Sequence, residues 1–100
     1  MSHIQHMQSL HEDTVVAMAK LRRAAKSVPD IRERFGDAVR HRREELGLNQ
    51  EELAHRAGIH RTYLSDIERG QRNVALVNIE NLARALELKM SELFAAVEPT

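Results

Sequence analysis

One hundred residues suit a single small domain with a modest core, one that a partner chain would help to stabilise. Apolar residues make up 42% and aromatics only 3%, so Leu, Val, Ile, Ala and Met must fill the interior, and the lack of cysteine excludes a disulfide framework or a thiolate metal site. Lys and Arg (15) balance Asp and Glu (15), so bulk charge does not point to a polyanion, but its distribution leaves one open: Lys20, Arg22, Arg23 and Lys26 stand in residues 14–28 without an acid.

Residues 1–8 read as a frayed end. Ser9 to Glu12 is an S-x-x-E capping pattern, and Val15, Met18, Leu21 and Ala25 then recur at helical spacing, predicting a helix over about 10–26. Pro29 breaks it, because the residue before a proline resists the helical region. Asp30 with Glu33 three residues on is a second capping pattern. Phe35, Ala38, Val39, Arg42 and Leu46 trace one face of the following helix, and Gly47 stops it. Asn49 with Glu52 starts a short helix whose Leu53, Ala54 and Ala57 face inward. Gly58 ends it, and a further helix covers about 60–68 up to Gly70. The loop QRNVA follows, then a helix carrying Leu76, Ile79, Leu82, Ala83 and Leu86, and a last one with Met90, Leu93 and Phe94. No strand pattern, internal repeat or low-complexity tract is visible.

Residues 50–69 are the informative unit. Leu53, Ala57, Ile59, Leu64 and Ile67 are apolar where two crossed helices must share a core, and Ala54 is small where they press together. Gly58 occupies the sharp reversal, a place that suits positive φ. Two short helices joined steeply by a turn of three or four residues make a helix-turn-helix, whose second helix can enter a major groove. Arg61, Thr62 and Tyr63 then sit at the groove-entering end.

The stretch LGLNQEELAHRAGIHRTYLSDIERGQRNVALVNIENLARAL resembles the Cro/CI-type (XRE) helix-turn-helix family of phage repressors and small bacterial regulators, a likeness covering about residues 31–95. Within it, RTYLSDIERGQRN is similar to the controller proteins of restriction–modification systems. The resemblance implies an all-α fold: a five-helix bundle, here with an additional N-terminal helix. Residues 1–29 would then be an extension serving packing or dimer contact, 30–96 the DNA-binding domain and 97–100 a tail. By the family pattern, Arg61, Thr62, Tyr63 and Asp66 match positions that contact bases. Gln50, Ser65, Arg69, Arg72 and Asn73 match positions that contact phosphate. Arg43 and Glu68 match an internal salt bridge. The chemistry is consistent: arginine can fork onto guanine O6 and N7, and a threonine methyl can meet a thymine methyl. Asp66 could accept from a cytosine amine or steer a neighbouring side chain. The chain departs from the family pattern at His60, where relatives place Ser or Thr as a cap, and at Glu87-Leu88-Lys89, where they place Gly-Val-Ser.

The expected function is a sequence-specific transcription regulator that binds a pseudo-palindromic operator in double-stranded DNA as a homodimer. The region Leu76–Phe94 is the dimer surface that the resemblance implies. Repression would work by occluding a promoter, and activation would add RNA polymerase as a partner. Two other readings stay open: an antitoxin that represses its own operon, kept alive by the N-terminal helix, and a protein-interaction module on the same fold. No cofactor is expected. His3 and His6 lie in the frayed end, and His41, His55 and His60 fall on separate segments, so no metal site is expected either. No catalytic constellation is visible, so an enzyme is not expected. No apolar run approaches a membrane span and no signal peptide opens the chain, which predicts a cytoplasmic protein.

Overall fold

The structure, a computed structural model, describes residues 14–18 and 29–99. Residues 14–18 are helical. Five helices follow: α1 (Ile31–Glu45), α2 (Gln50–Ala57), α3 (Arg61–Glu68), α4 (Leu76–Ala85) and α5 (Met90–Val97). No strand occurs among the described residues. Of the predicted N-terminal helix, Leu21, Ala25 and the basic set Lys20, Arg22, Arg23 and Lys26 lie outside the described residues. Val15 and Met18 are 52% and 51% exposed, so the described part of that segment adds nothing to the core.

The helix starts follow from their caps. Asn49 and Glu52 form the reciprocal box: the Glu52 backbone N–H donates to Asn49 Oδ1 (2.8 Å) and the Asn49 backbone N–H donates to Glu52 Oε1 (3.0 Å). Asp30 caps α1 differently from the predicted box with Glu33. Its Oδ1 accepts from the backbone N–H of Arg32 (2.8 Å), and the Arg32 guanidinium folds back onto both carboxylate oxygens (3.0 and 3.3 Å). That grip turns the carboxylate toward the second residue of the helix rather than the third. Hydrogen bonds from the Arg32 side chain, then from its backbone, hold the Asp30 carboxyl below the ordinary carboxylate range.

The interior is one cluster. Phe35 and Val39 of α1, Leu53, Ala54 and Ala57 of α2, Leu64 and Ile67 of α3, Leu82 and Ala83 of α4, and Leu93 and Val97 of α5 are all buried in it. The chain has one tyrosine and two phenylalanines, and the two phenylalanines, Phe35 and Phe94, pack with their ring centroids 6.5 Å apart. Helix α1 packs on α3 and α5, α2 packs on α3 and α4, and α4 on α5. The α1–α3 crossing depends on Gly36. A Cβ there would overlap the carbonyl oxygen of Ile67 and lie 2.8 Å from that of Glu68. Hydrogen in place of a side chain is what lets the two backbones approach.

Two arginines of α1 satisfy the ends of later helices. Arg42, read from periodicity as part of the inward face, donates from Nε to the carbonyl of Leu86 just past α4 (3.1 Å). Arg34 donates from Nε to the carbonyl of Val97 at the end of α5 (3.1 Å). Orphan carbonyls and the negative end of the helix dipole both favour a cation there. The departure at 87–89 has a clear conformational result. Glu87 takes the left-handed conformation at φ 59°, a place that glycine fills at less cost. The Glu87 N–H donates to the carbonyl of Arg84 (3.0 Å) and the Leu88 N–H to that of Ala83 (2.9 Å), a Schellman ending for α4.

Candidate nucleic-acid interface

Helices α2 and α3 and the turn between them carry the candidate site. Gly58 has φ 68° and ψ 31°, the reversal expected from sequence. A Cβ there would meet nothing within 4 Å, so the backbone angle alone asks for glycine. The Gly58 N–H donates to the carbonyl of His55 (3.2 Å) and the Ile59 N–H to that of Ala54 (3.0 Å), closing α2 with a second Schellman pattern. His60 does cap α3: its Nδ1 accepts from the Thr62 backbone N–H at 3.1 Å, which assigns the ring proton to Nε2. The imidazole thus supplies the acceptor that Ser or Thr would have offered.

Leu64 and Ile67 anchor α3 with exposures of 0% and 1%, while Arg61 and Thr62 at its leading end are exposed. A shallow cleft lined by Asn49, Gln50, Glu51 and Arg61 sets the start of α2 beside that leading arginine. The far end of α3 is held by charge. Glu68 is buried, with 4% exposure. It accepts from Arg43 Nε at Oε2 (2.8 Å) and from Arg43 Nη2 at Oε1 (2.9 Å), a bidentate pair. Gln50 Nε2 donates to Oε1 as well (3.1 Å), and Arg43 Nη1 donates to the carbonyl of Leu48 (2.9 Å). The hydrogen bond to Glu68 raises the Arg43 pKa above its ordinary value, which strengthens the hold on the guanidinium proton. Gln50, matched by resemblance to a phosphate contact, is therefore also tied to the inside of the site. That bond uses one N–H of its amide and leaves the second.

Tyr63, Asp66, Arg69 and Arg72 form a second cluster. Asp66 Oδ1 accepts from Arg69 Nη2 at 2.6 Å. Asp66 Oδ2 accepts from Arg72 Nε at 3.1 Å, with Arg72 Nη2 3.0 Å away. The Arg72 guanidinium carbon lies 5.5 Å from the centre of the Tyr63 ring, within cation–π range. The Tyr63 hydroxyl accepts from Asn78 Nδ2 at 3.3 Å. Both carboxylate oxygens of Asp66 are thus engaged by arginines of its own chain. Ser65 is half-buried on α3, and Asn73 is exposed in the loop.

Sequence reading missed Gly36, Asn78 and the capping duty of Arg34 and Arg42. Gly36 did leave a signal, an isolated glycine inside a helical pattern, which often marks close backbone approach. No group of three or more His, Cys, Asp or Glu able to hold a metal exists among the described residues. No described helix is long and apolar enough to cross a membrane.

Comparison with known proteins adds to this geometry. The Helix-turn-helix family profile matches residues 39–93. Control protein C.MunI from Mycoplasma sp is 44% identical over 70 residues, which are 69% of this chain and 95% of that protein. The crystal structure of the restriction-modification controller protein C.AhdI from Aeromonas hydrophila is similar with TM-score 0.62 and 49% identity, over 63% of this chain and 96% of that one. The restriction-modification controller protein C.Esp1396I, solved as a tetramer in complex with its natural 35 base-pair operator, is similar with TM-score 0.65 and 29% identity, over 69% of this chain and 91% of that one.

Proposed function

The chain belongs to the helix-turn-helix family, and from that premise we propose that it is a transcription regulator of the controller kind that binds a pseudo-palindromic operator in double-stranded DNA as a homodimer. The observation that carries this reading is the outward placement of Arg61 and Thr62 on the leading end of a helix whose other face is locked in the core. An arginine there can fork onto a guanine edge and a threonine can meet a thymine methyl. Tyr63 borders them. Gln50, Ser65, Arg69, Arg72 and Asn73 surround that face and supply donors for phosphate, which position the protein without choosing sequence. The names of the similar proteins, control and controller proteins of which one is solved with its operator, favour this reading.

Dimerisation is assigned to the start of α4, within the Leu76–Phe94 region. Leu76 and Val77 are 72% and 69% exposed and adjacent, a costly arrangement for an isolated chain. Two copies paired there would present two copies of α3 to one duplex, about 34 Å apart. Such a protein works in the cytoplasm, where the DNA is. Repression needs only occupancy of a promoter. Activation adds contact with RNA polymerase, and transcription in vitro with purified polymerase distinguishes the two by the sign of its change.

Selection of bound duplexes from a random pool tests the proposal. The expected product is a two-fold symmetric site with half-sites about 10 base pairs apart, whose binding falls steeply with salt. A pool that stays random through repeated rounds overturns it.

A further inference from the structure

Of the two acids in α3, Glu68 is buried against Arg43, whereas Asp66 stands among the arginines assigned to DNA. A carboxylate at such a place opposes binding to phosphate. We propose that Asp66 is a positioning residue that fixes Arg69 and Arg72 before DNA arrives, so that the protein gains discrimination between operator and random duplex while losing gross affinity. The inference rests on the reading of function given above and deepens it.

Four observations support it. Asp66 sits on a helix rather than in a loop, and its side chain is only 16% exposed, so it is a fixed point. Both of its oxygens are used, one for each arginine. Arg72 is held from a second side by the ring of Tyr63, whose hydroxyl is in turn bonded to Asn78. The contacts to Asp66 use Nη2 of Arg69, and Nε and Nη2 of Arg72, so Nη1 of both side chains and Nε of Arg69 are not among them. Two long arginines without the carboxylate would sample many rotamers and could grip phosphates in many registers. Tied to Asp66, they present donors in one arrangement, and a duplex of the matching shape meets them with little further ordering. The carboxylate also cancels part of their charge, which lowers attraction to every duplex alike.

Asp66→Asn tests this, because it keeps the shape and one acceptor oxygen and removes the charge. Affinities are measured for the selected operator and for a random-sequence duplex, each at several salt concentrations, after melting curves show the variant folded. Random duplex should be bound about three- to tenfold more tightly by the variant. The ratio of operator to random affinity should fall about tenfold. A second measurement needs no DNA: exchange of the arginine Nε–H protons followed by nitrogen-edited NMR. The Arg72 signal should exchange slowly in the native chain and quickly in Asp66→Asn, while that of Arg61 is unchanged. Equal factors of change on both duplexes, or an Arg72 signal that exchanges as fast as Arg61 in the native chain, overturn the proposal. A native chain that does not distinguish operator from random duplex sinks instead the reading of function on which it stands.

Discussion

Replacing Arg43 with methionine removes the counterion of a carboxylate that has nowhere to go. The Glu68 side chain is 3% exposed and that of Arg43 13%, so water cannot take over the lost hydrogen bonds. After Arg43→Met, Glu68 keeps only the donor of Gln50. Breaking a buried ion pair from one side costs about 3–5 kcal/mol, because one charge is left uncompensated. A domain of this size is stable by roughly 4–10 kcal/mol, so a third or more of its stability should be lost. The melting temperature should fall by about 12 °C or more, taking about 4–8 °C per kcal/mol for a chain of this length. Circular dichroism with thermal and urea unfolding reads both quantities. The double variant Arg43→Met with Glu68→Leu should recover most of the loss, since an apolar pair of similar volume can replace a buried ion pair at little cost. The reasoning is refuted if Arg43→Met costs under about 1 kcal/mol, the range of an exposed pair, or if the double variant melts no higher than the single one.

Gly36→Ala should destabilise by about 2 kcal/mol or more despite the better helix propensity of alanine, because its methyl overlaps the Ile67 carbonyl oxygen; an unchanged urea midpoint would show that α1 and α3 can move apart freely. Glu87→Gly should stabilise by about 0.5–1 kcal/mol through relief of the left-handed conformation, less a small loss from the exposed ion pair to Arg56, and calorimetry would expose a wrong sign as a lowered melting temperature. Asp30→Asn keeps a capping oxygen but does not titrate. Since the folded-state pKa of Asp30 is depressed, its charge stabilises above the unfolded value of about 4. That contribution is lost as pH falls through the folded value, so the native chain's advantage over Asp30→Asn should vanish in acid, and an advantage that grows with acid would reverse the assignment. Arg61→Ala should remove about 1–3 kcal/mol of discrimination at one base pair of each half-site, read by competition with single-base operator variants; equal losses on random duplex would assign Arg61 to phosphate instead.

Much of the fold was legible because its signals are local. Asn49 with Glu52, Gly47 and Gly58 each mark a boundary through a capping bond or a backbone angle, and these depend on residues within one turn. The apolar positions of α2 and α3 repeat with the helical period, so their inward faces could be read without a partner in view. The internal pairing of Glu68 came from resemblance rather than period, since no local pattern says that a glutamate is to be buried. The contacts that were missed join residues far apart in the chain. Arg34 with Val97 and Arg42 with Leu86 are pairings that only the packed bundle defines. Glu87 was visible as a departure, but its left-handed backbone was not, because the same sequence could have closed α4 with a longer turn. Asp66 was ambiguous for a related reason: whether a carboxylate reads a base or holds an arginine depends on where Arg69 and Arg72 come to rest.

The same bonds that secure the bundle also set the accuracy of the proposed reading head. Helix α3 is only eight residues long, and its own hydrogen bonds would not keep it helical in isolation. Its position comes instead from three fastenings of different kinds: the Gly36 approach to the Ile67 carbonyl, the Arg43 pair with Glu68, and the burial of Leu64 and Ile67. Gln50 joins the second of these, so the start of α2 is bonded to the last residue of α3. That bond fixes the offset between a donor assigned to phosphate and the side chains assigned to bases. A shift of about 1 Å is enough to break a bidentate base contact, whose donor–acceptor distances must stay within about 0.5 Å. Variants at Gly36 or Arg43 should therefore lose discrimination among operator sequences at temperatures where they are still fully folded, before any loss of binding to random duplex.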